Sequence, residues 1–130
     1  LKNGIKLKDV FQIVKKFKNI QPNKPLILMG YFNLIFQNGE DNFLKNCKKS
    51  GVDGLVCSGD EINLIRKNFG NDVEILVPGV RFNTQLNDQS RVISPREAID
   101  LGANYIVLGR TITDSPDMKK QLDDIIKTLD

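Results

Sequence analysis

Glu74-Ile75-Leu76-Val77-Pro78-Gly79-Val80-Arg81 and, further on, Tyr105-Ile106-Val107-Leu108-Gly109-Arg110 decide how this chain is read. Each is a short apolar run, rich in β-branched or aromatic residues, that passes directly into a glycine and an arginine. That pattern predicts a buried strand with polar residues just past its end. In parallel β/α folds ligands sit at the carboxyl ends of the strands, and in an eight-stranded barrel a phosphate commonly sits at the loops after the last two. Gly109 allows the backbone to approach an anion closely, and the Arg110 guanidinium can give two parallel hydrogen bonds to phosphate oxygens. Arg81 and Gln89 would close the same site from the neighbouring loop. Taken singly these are ordinary solvated surface residues. Their joint placement after consecutive strands points to a phosphate.

Outward from these two runs, the rest of the chain alternates helix and strand. Leu7, Val10, Phe11, Val14 and Phe17 recur at helical spacing over 7–18 and should face a sheet. An unbroken apolar run at 26–29 predicts a strand. Phe43, Leu44 and Cys47 form the inward side of a helix over 40–49, and Gly51 supplies its stop. A second strand is expected at 55–57. Ser58, with Glu61 three residues later, reads as a capping box for a helix that buries Ile62, Ile65 and Phe69. Ser94-Pro95-Arg96-Glu97 repeats the box with proline at the first helical position, for a short helix ending at Gly102. Strands are expected at 74–77 and 105–108. Ser115-Pro116 predicts the start of a last helix whose buried stripe is Met118, Leu122, Ile125, Ile126 and Leu129. Between them, 79–93 is the longest irregular stretch, rich in Asn, Gln, Asp and Arg, of the kind that serves function in compact domains.

Composition narrows the function classes. With 40% hydrophobic and 27% charged residues and no low-complexity tract, 130 residues predict one globular α/β domain spanning 1–130. A complete eightfold barrel needs about 250 residues, so the expected fold is half of one: four parallel strands with flanking helices. The net charge of +3 is mild, and its lysines scatter over helix faces, which argues against a nucleic-acid surface. No apolar run approaches membrane-spanning length and no secretory signal pattern precedes the fold, so a cytoplasmic protein is expected. Cys47 and Cys57 read as small core residues rather than a disulfide. With no histidine and no cysteine cluster, neither a metal site nor a cofactor is expected, and the commonest general base near neutral pH is missing.

The wording of the two halves resembles two different families. Pro78-Gly79-Val80-Arg81, the stretch 88–99 that begins Asp-Gln-Ser-Arg, and Tyr105-Ile106-Val107-Leu108-Gly109-Arg110-Thr111-Ile112-Thr113 are similar to the C-terminal part of orotidine 5′-phosphate decarboxylase. With Gly54-Leu55-Val56-Cys57-Ser58 this resemblance covers 54–130. It implies that Arg81, Gln89, Gly109 and Arg110 grip the 5′-phosphate of a nucleotide. The chain departs from that family at Asn87, where a glycine is usual, and at Thr111, where a proline is usual. Residues 2–11, 25–39, Phe43-Leu44 and 51–55 are instead similar to the α subunit of tryptophan synthase, over 1–57. Tyr31 then matches a substrate-side position of that family. The resemblances meet at 51–58, so the chain reads as a chimera of two barrel fragments.

The chemistry of both families depends on residues that this sequence does not carry. The decarboxylases use an Asp-x-Lys-x-x-Asp pattern on an early strand. Asp117-Met118-Lys119 falls in the expected terminal helix instead. The tryptophan synthase α subunits use a Glu and an Asp on strands that precede the matched region. No catalytic residue is therefore assigned: the nearby candidates Asp53, Asp60, Glu61 and Asp88 are each better explained as cap or turn residues. Three readings follow. One is a phosphate or nucleoside-monophosphate binding module without chemistry of its own. A second is a decarboxylase-like lyase completed by a partner. The third is a recombined barrel scaffold with no specific function. Half a barrel leaves two sheet edges and an apolar inner face, which predicts a homodimer completing an eight-stranded core. The rival is a monomer with a flattened, flavodoxin-like sheet and its first helix crossing to the other face.

Overall fold

The structure is a computed structural model and describes residues 4–30, 39–82 and 93–129. Its first helix, α1 (Leu7–Ile20), buries Phe11 and Val14, one turn apart, and its N-terminus is closed by the Asp9 carboxylate accepting the Lys6 N–H at 2.8 Å. Strand β1 (Ile27–Met29) follows, then α2 (Glu40–Ser50), which ends where Gly51 turns left-handed at φ 80°. Strand β2 (Gly54–Val56) leads into a 3₁₀ turn, Gly59–Glu61, and α3 (Ile62–Phe69). After β3 (Glu74–Val77) come α4 (Pro95–Asp100), β4 (Tyr105–Ile106), the short α5 (Arg110–Thr113) and α6 (Met118–Lys127).

The four strands form one parallel sheet in chain order. Leu28, Leu55 and Ile75 stand in one row across it, and Met29, Val56, Leu76 and Tyr105 in the next. Because side chains alternate along a strand, the two rows lie on opposite faces. The first row joins a core built with Phe11, Phe43, Cys47, Ile65 and Phe69 from the helices. The rings of Phe11 and Phe43 pack at 5.7 Å between centroids, tilted by 52°. At about 1.5–3 kcal/mol per buried large side chain, this one-sided layer is the main favourable contribution to folding. Among the described residues the second row is less covered, its outer members most of all: Met29 is 81% and Tyr105 53% exposed, while Val56 and Leu76 are half-buried.

Four parallel strands with flanking helices are the expected fold class. The rival topology is not adopted, because α1 packs on α2 within the covered layer rather than crossing to the other face. Other expectations need correction. The second strand begins at Gly54 and stops before Cys57, which stands just past its end. The fourth strand stops at Ile106 because the chain turns into α5, a helix the apolar pattern did not announce. Ser115-Pro116 does not start the last helix. The Ser115 hydroxyl instead bonds locally to both the N–H and the carbonyl of Asp117, and Asp117 is the cap, its carboxylate accepting the Lys120 N–H at 2.9 Å. Of the stripe assigned to that helix only Ile125 is buried, at 1% exposure, while Met118, Leu122 and Ile126 face outward. Among the described residues no helix is long and apolar enough to cross a membrane.

Candidate functional site

The amino ends of the strands are fastened by charge and are structural. Lys18 on α1 reaches Asp53, just before β2, at 3.0 and 2.9 Å from the two carboxylate oxygens, and also donates to the Lys24 carbonyl. The same carboxylate accepts the Leu26 N–H at 2.7 Å, which fixes the approach to β1. Arg66 on α3 donates to the carbonyls of Gly70, Val73 and Gly102 and to the Asn104 side-chain oxygen, which also accepts the Ile75 N–H. In barrel-type folds this end of the sheet serves stability, and the opposite end carries ligands.

At the carboxyl end, Pro78 and Gly79 turn the chain out of β3, Gly79 at φ 76°, a conformation that a side chain disfavours. Val80 then forms a parallel bridge with Ile93, and the Arg81 N–H donates to the Ile93 carbonyl at 3.0 Å. The 3₁₀ turn after β2 supports this bridge from below. A Cβ on Gly59 would lie 2.8 Å from Ile93 Cδ1, so the turn approaches as closely as a glycine allows. The Ser58 N–H donates to the Glu61 carboxylate at 2.5 Å, which is half of the expected capping box; the Ser58 hydroxyl is buried with no hydrogen-bond partner among the described residues, and the Glu61 N–H goes to the Ser58 carbonyl at 3.2 Å.

Across from that loop, Gly109 caps α5, and the N–H groups of Ile112 and Thr113 return to its carbonyl at 2.9 and 3.1 Å. Thr111 is buried, and its hydroxyl donates to the Val80 carbonyl at 3.1 Å. Arg81 follows Val80 in the chain and Arg110 precedes Thr111. The two arginines therefore flank one buried hydrogen bond that ties the loop after β3 to the loop after β4. Arg110 and Gly109 are exposed and Arg81 is half-buried. Gln89 and Tyr31 lie outside the described residues, as does Asp88.

Sequence reasoning missed Thr111 as a tie. It stood out only as a departure from a pattern, and a hydroxyl-bearing, β-branched residue after Gly-Arg gives no sign of its acceptor. Arg66 and Asn104 were also missed, because Arg66 finds the Gly102 carbonyl, and Asn104 the Ile75 N–H and the Arg66 guanidinium, only once the fold brings them near. Among the candidate carboxylates, Asp53 is engaged at the other end of the sheet, and Asp60 and Glu61 belong to the 3₁₀ turn. Asp117 is taken up by the α6 cap and lies far along the chain from any strand end.

Beside the loops, a cavity of about 210 Å³ opens between α2 and α3 at the ends of β1 to β3, walled mostly by apolar groups such as Met29, Phe43, Leu44 and Ile65. Cys57 lines it too. Burial pushes its thiol up to about 12, the Glu61 charge adding to the effect and Arg66 opposing it. Burial likewise pushes Cys47 up to about 12. Neither thiol is a thiolate nucleophile at neutral pH.

A parallel sheet with helices interleaved in the sequence, and with polar loops gathered at the carboxyl ends of its last strands, defines a protein of the TIM-barrel class. The family model described as "Orotidine 5'-phosphate decarboxylase / HUMPS family" matches residues 35–125, and that of "Tryptophan synthase alpha chain" matches 1–67. The chain belongs to both families, each through its own part, and the overlap of the two matches brackets the expected junction at 51–58. A tryptophan synthase alpha chain from Pelagibacter ubique is 64% identical over 56 residues, which cover 43% of this chain and 21% of that protein. An orotidine 5'-phosphate decarboxylase from Wigglesworthia glossinidia brevipalpis is 49% identical over 85 residues, 65% of this chain and 37% of that one. The chain thus spans well under half the length of these relatives. Among solved structures, tryptophan synthase subunit alpha from Legionella pneumophila aligns with 98% of this chain and 48% of its own, at a TM-score of 0.68 and 22% identity.

Proposed function

We propose that the chain binds the phosphate of a nucleoside monophosphate through Arg81, Gln89, Gly109 and Arg110, and performs no chemistry on its own. The observation that carries this reading is the Thr111 hydroxyl on the Val80 carbonyl, which holds the two arginine-bearing loops side by side at the carboxyl ends of β3 and β4. Two guanidinium groups on adjacent loops suit an oxyanion with several acceptor oxygens, and each can bond it in bidentate fashion. The family membership of 35–125 supports a nucleotide carrying a 5′-phosphate as the ligand. Among the described carboxylates, Asp53, Glu61 and Asp117 are engaged in clamps and caps, which supports binding rather than catalysis.

A phosphate held in an open groove binds weakly, on the order of 4 kcal/mol or about millimolar affinity. Titrating uridine 5′-monophosphate and orotidine 5′-monophosphate into the protein, with amide shifts followed by NMR, tests the reading. Shifts should concentrate at 79–91 and 109–113, and Arg110→Ala should weaken binding by about tenfold or more, equivalent to about 1.4 kcal/mol. Absence of shifts would leave only a scaffold. Release of carbon dioxide from orotidine 5′-monophosphate would overturn the claim that the chain performs no chemistry.

A further inference from the structure

Gly59 opens the 3₁₀ turn after β2, and its backbone does not call for a glycine, since it is not among the glycines held at positive φ. What calls for one is a neighbour. A Cβ at this position would lie 2.8 Å from Ile93 Cδ1, 3.1 Å from Ile93 Cβ and 3.3 Å from Ile93 Cγ2. Carbon atoms in contact sit about 3.5–4.0 Å apart, so the seat has no room for a methyl group. Turning Cδ1 aside does not make room, because Cβ and Cγ2 belong to the stem of a β-branched residue whose χ1 is stiff. Neither side of the contact is free to retreat. The turn is mounted on the sheet, where the Cys57 N–H donates to the Leu76 carbonyl at 3.1 Å, and on Ile62, which is fully buried. Ile93 leads through Ser94 into α4, whose Pro95 and Ala98 are buried as well.

We infer that Gly59 is a positioning residue of the phosphate site, an inference that rests on the phosphate-binding reading above. Ile93 is the residue through which it acts. Val80 pairs with Ile93 in a parallel bridge, and the Arg81 N–H donates to the Ile93 carbonyl. The Thr111 hydroxyl holds Val80 from the side of Arg110. Arg81 is thus located from two directions: through Thr111 it is spaced from Arg110, and through Ile93 its place relative to β2 is set by Gly59. A site that takes one oxyanion between two guanidinium groups needs both within about 0.5 Å of their productive placement. A methyl group at 59 would drive Ile93 off by about 0.7 Å at its nearest atom, which exceeds that tolerance. The bridge passes the displacement to Arg81, while Arg110 lies on the far side of the Thr111 tie. The turn after β2 thereby takes part in anion binding without touching the anion.

NMR titration with inorganic phosphate, together with hydrogen exchange at the Arg81 amide, tests the inference. Gly59→Ala should weaken phosphate binding by about fivefold, less than the loss set for Arg110→Ala because Arg81 keeps its charge. Exchange at the Arg81 amide should quicken in the same variant, since its acceptor is the Ile93 carbonyl. Adding Ile93→Val, which removes Cδ1, should recover part of the affinity. Ile93→Ala unseats the contact from the other side, should weaken binding in the same sense, and stands in if Gly59→Ala fails to fold. Arg66→Ala is the control: it acts at the opposite end of the sheet and should lower stability without changing the phosphate affinity of the folded protein. Wild-type affinity in both Gly59→Ala and Ile93→Ala would overturn the inference and leave the phosphate site standing. Equal weakening by Arg66→Ala would overturn it too, because loss of stability alone would then account for the effect. A wild-type chain with no phosphate-dependent shift would overturn the phosphate reading itself, and this inference with it.

Discussion

Replacing Arg66 with alanine removes a side chain whose five hydrogen bonds join α3, the approach to β3 and the approach to β4. Nε and Nη2 share the Gly102 carbonyl at 2.9 and 2.7 Å, Nη1 bonds the carbonyls of Gly70 at 2.7 Å and Val73 at 2.8 Å, and Nη2 reaches the Asn104 oxygen at 2.5 Å. Water can replace the arginine at Gly70 and Asn104, where the contacts are exposed. The Gly102 and Val73 carbonyls are part-buried, and these two carry most of the loss. A hydrogen bond to a charged group contributes about 1.5–3 kcal/mol, so the lower bound for two acceptors gives about 3 kcal/mol. With an unfolding entropy of about 2.1 cal/mol/K per residue, a chain of this length should lose roughly 11 °C in Tm. Urea unfolding followed by circular dichroism measures the change at constant m, and Arg66→Lys should recover less than half of it, since an ammonium lacks the planar fork. A loss below about 1 kcal/mol for Arg66→Ala would refute the reasoning, because it would mean that solvent satisfies all the acceptors.

Thr111→Val keeps the shape and removes the donor, leaving the Val80 carbonyl unpaired at a buried position. The expected cost is about 1–3 kcal/mol in urea unfolding, with weaker phosphate binding by NMR titration, and Thr111→Ser should restore both. Stability should also fall in alkali. Cys47 and Cys57 are raised from the ordinary 9.0 to about 12, so above pH 9 the unfolded chain sheds protons that the folded chain keeps. Their contribution is fully present below pH 9 and is lost progressively toward pH 12, and urea midpoints at pH 8 and pH 10.5 should differ less once both cysteines are replaced by alanine.

Periodicity made the helices that bury a stripe legible: Phe11 and Val14, Phe43 and Cys47, Ile62 and Ile65 lie where the 3.6-residue repeat put them. The strands were legible as short apolar runs, with ends misjudged by a residue or two, because an apolar residue such as Cys57 or Val107 reads alike within a strand and just beyond it. The last helix exposes the limit of such patterns. Its apolar stripe is real, but a pattern states only that a face is apolar, and whether anything covers it depends on elements elsewhere. Arg81, Gly109 and Arg110 were found because they follow strands directly. Thr111, Arg66 and Asn104 were not, because their meaning rests on hydrogen-bond partners, the Val80 and Gly102 carbonyls and the Ile75 N–H, brought near by the fold.

The meeting of the two families near β2 has a practical side. A strand contributes to its neighbours chiefly through the main-chain ladder, which is indifferent to side-chain identity and asks only for register. What the junction demands of its surroundings is therefore short. Gly54 must stay small, since a Cβ there would lie 3.1 Å from both the Glu74 carbonyl and Ile27 Cγ1, and Asp53 must meet a cation and an N–H from the preceding segment. Any βα piece that offers a lysine at the end of its helix and a matching strand would meet those terms. The middle of this sheet is thus a splice point at which front segments from other barrels can be exchanged while the loops after β3 and β4 are left untouched.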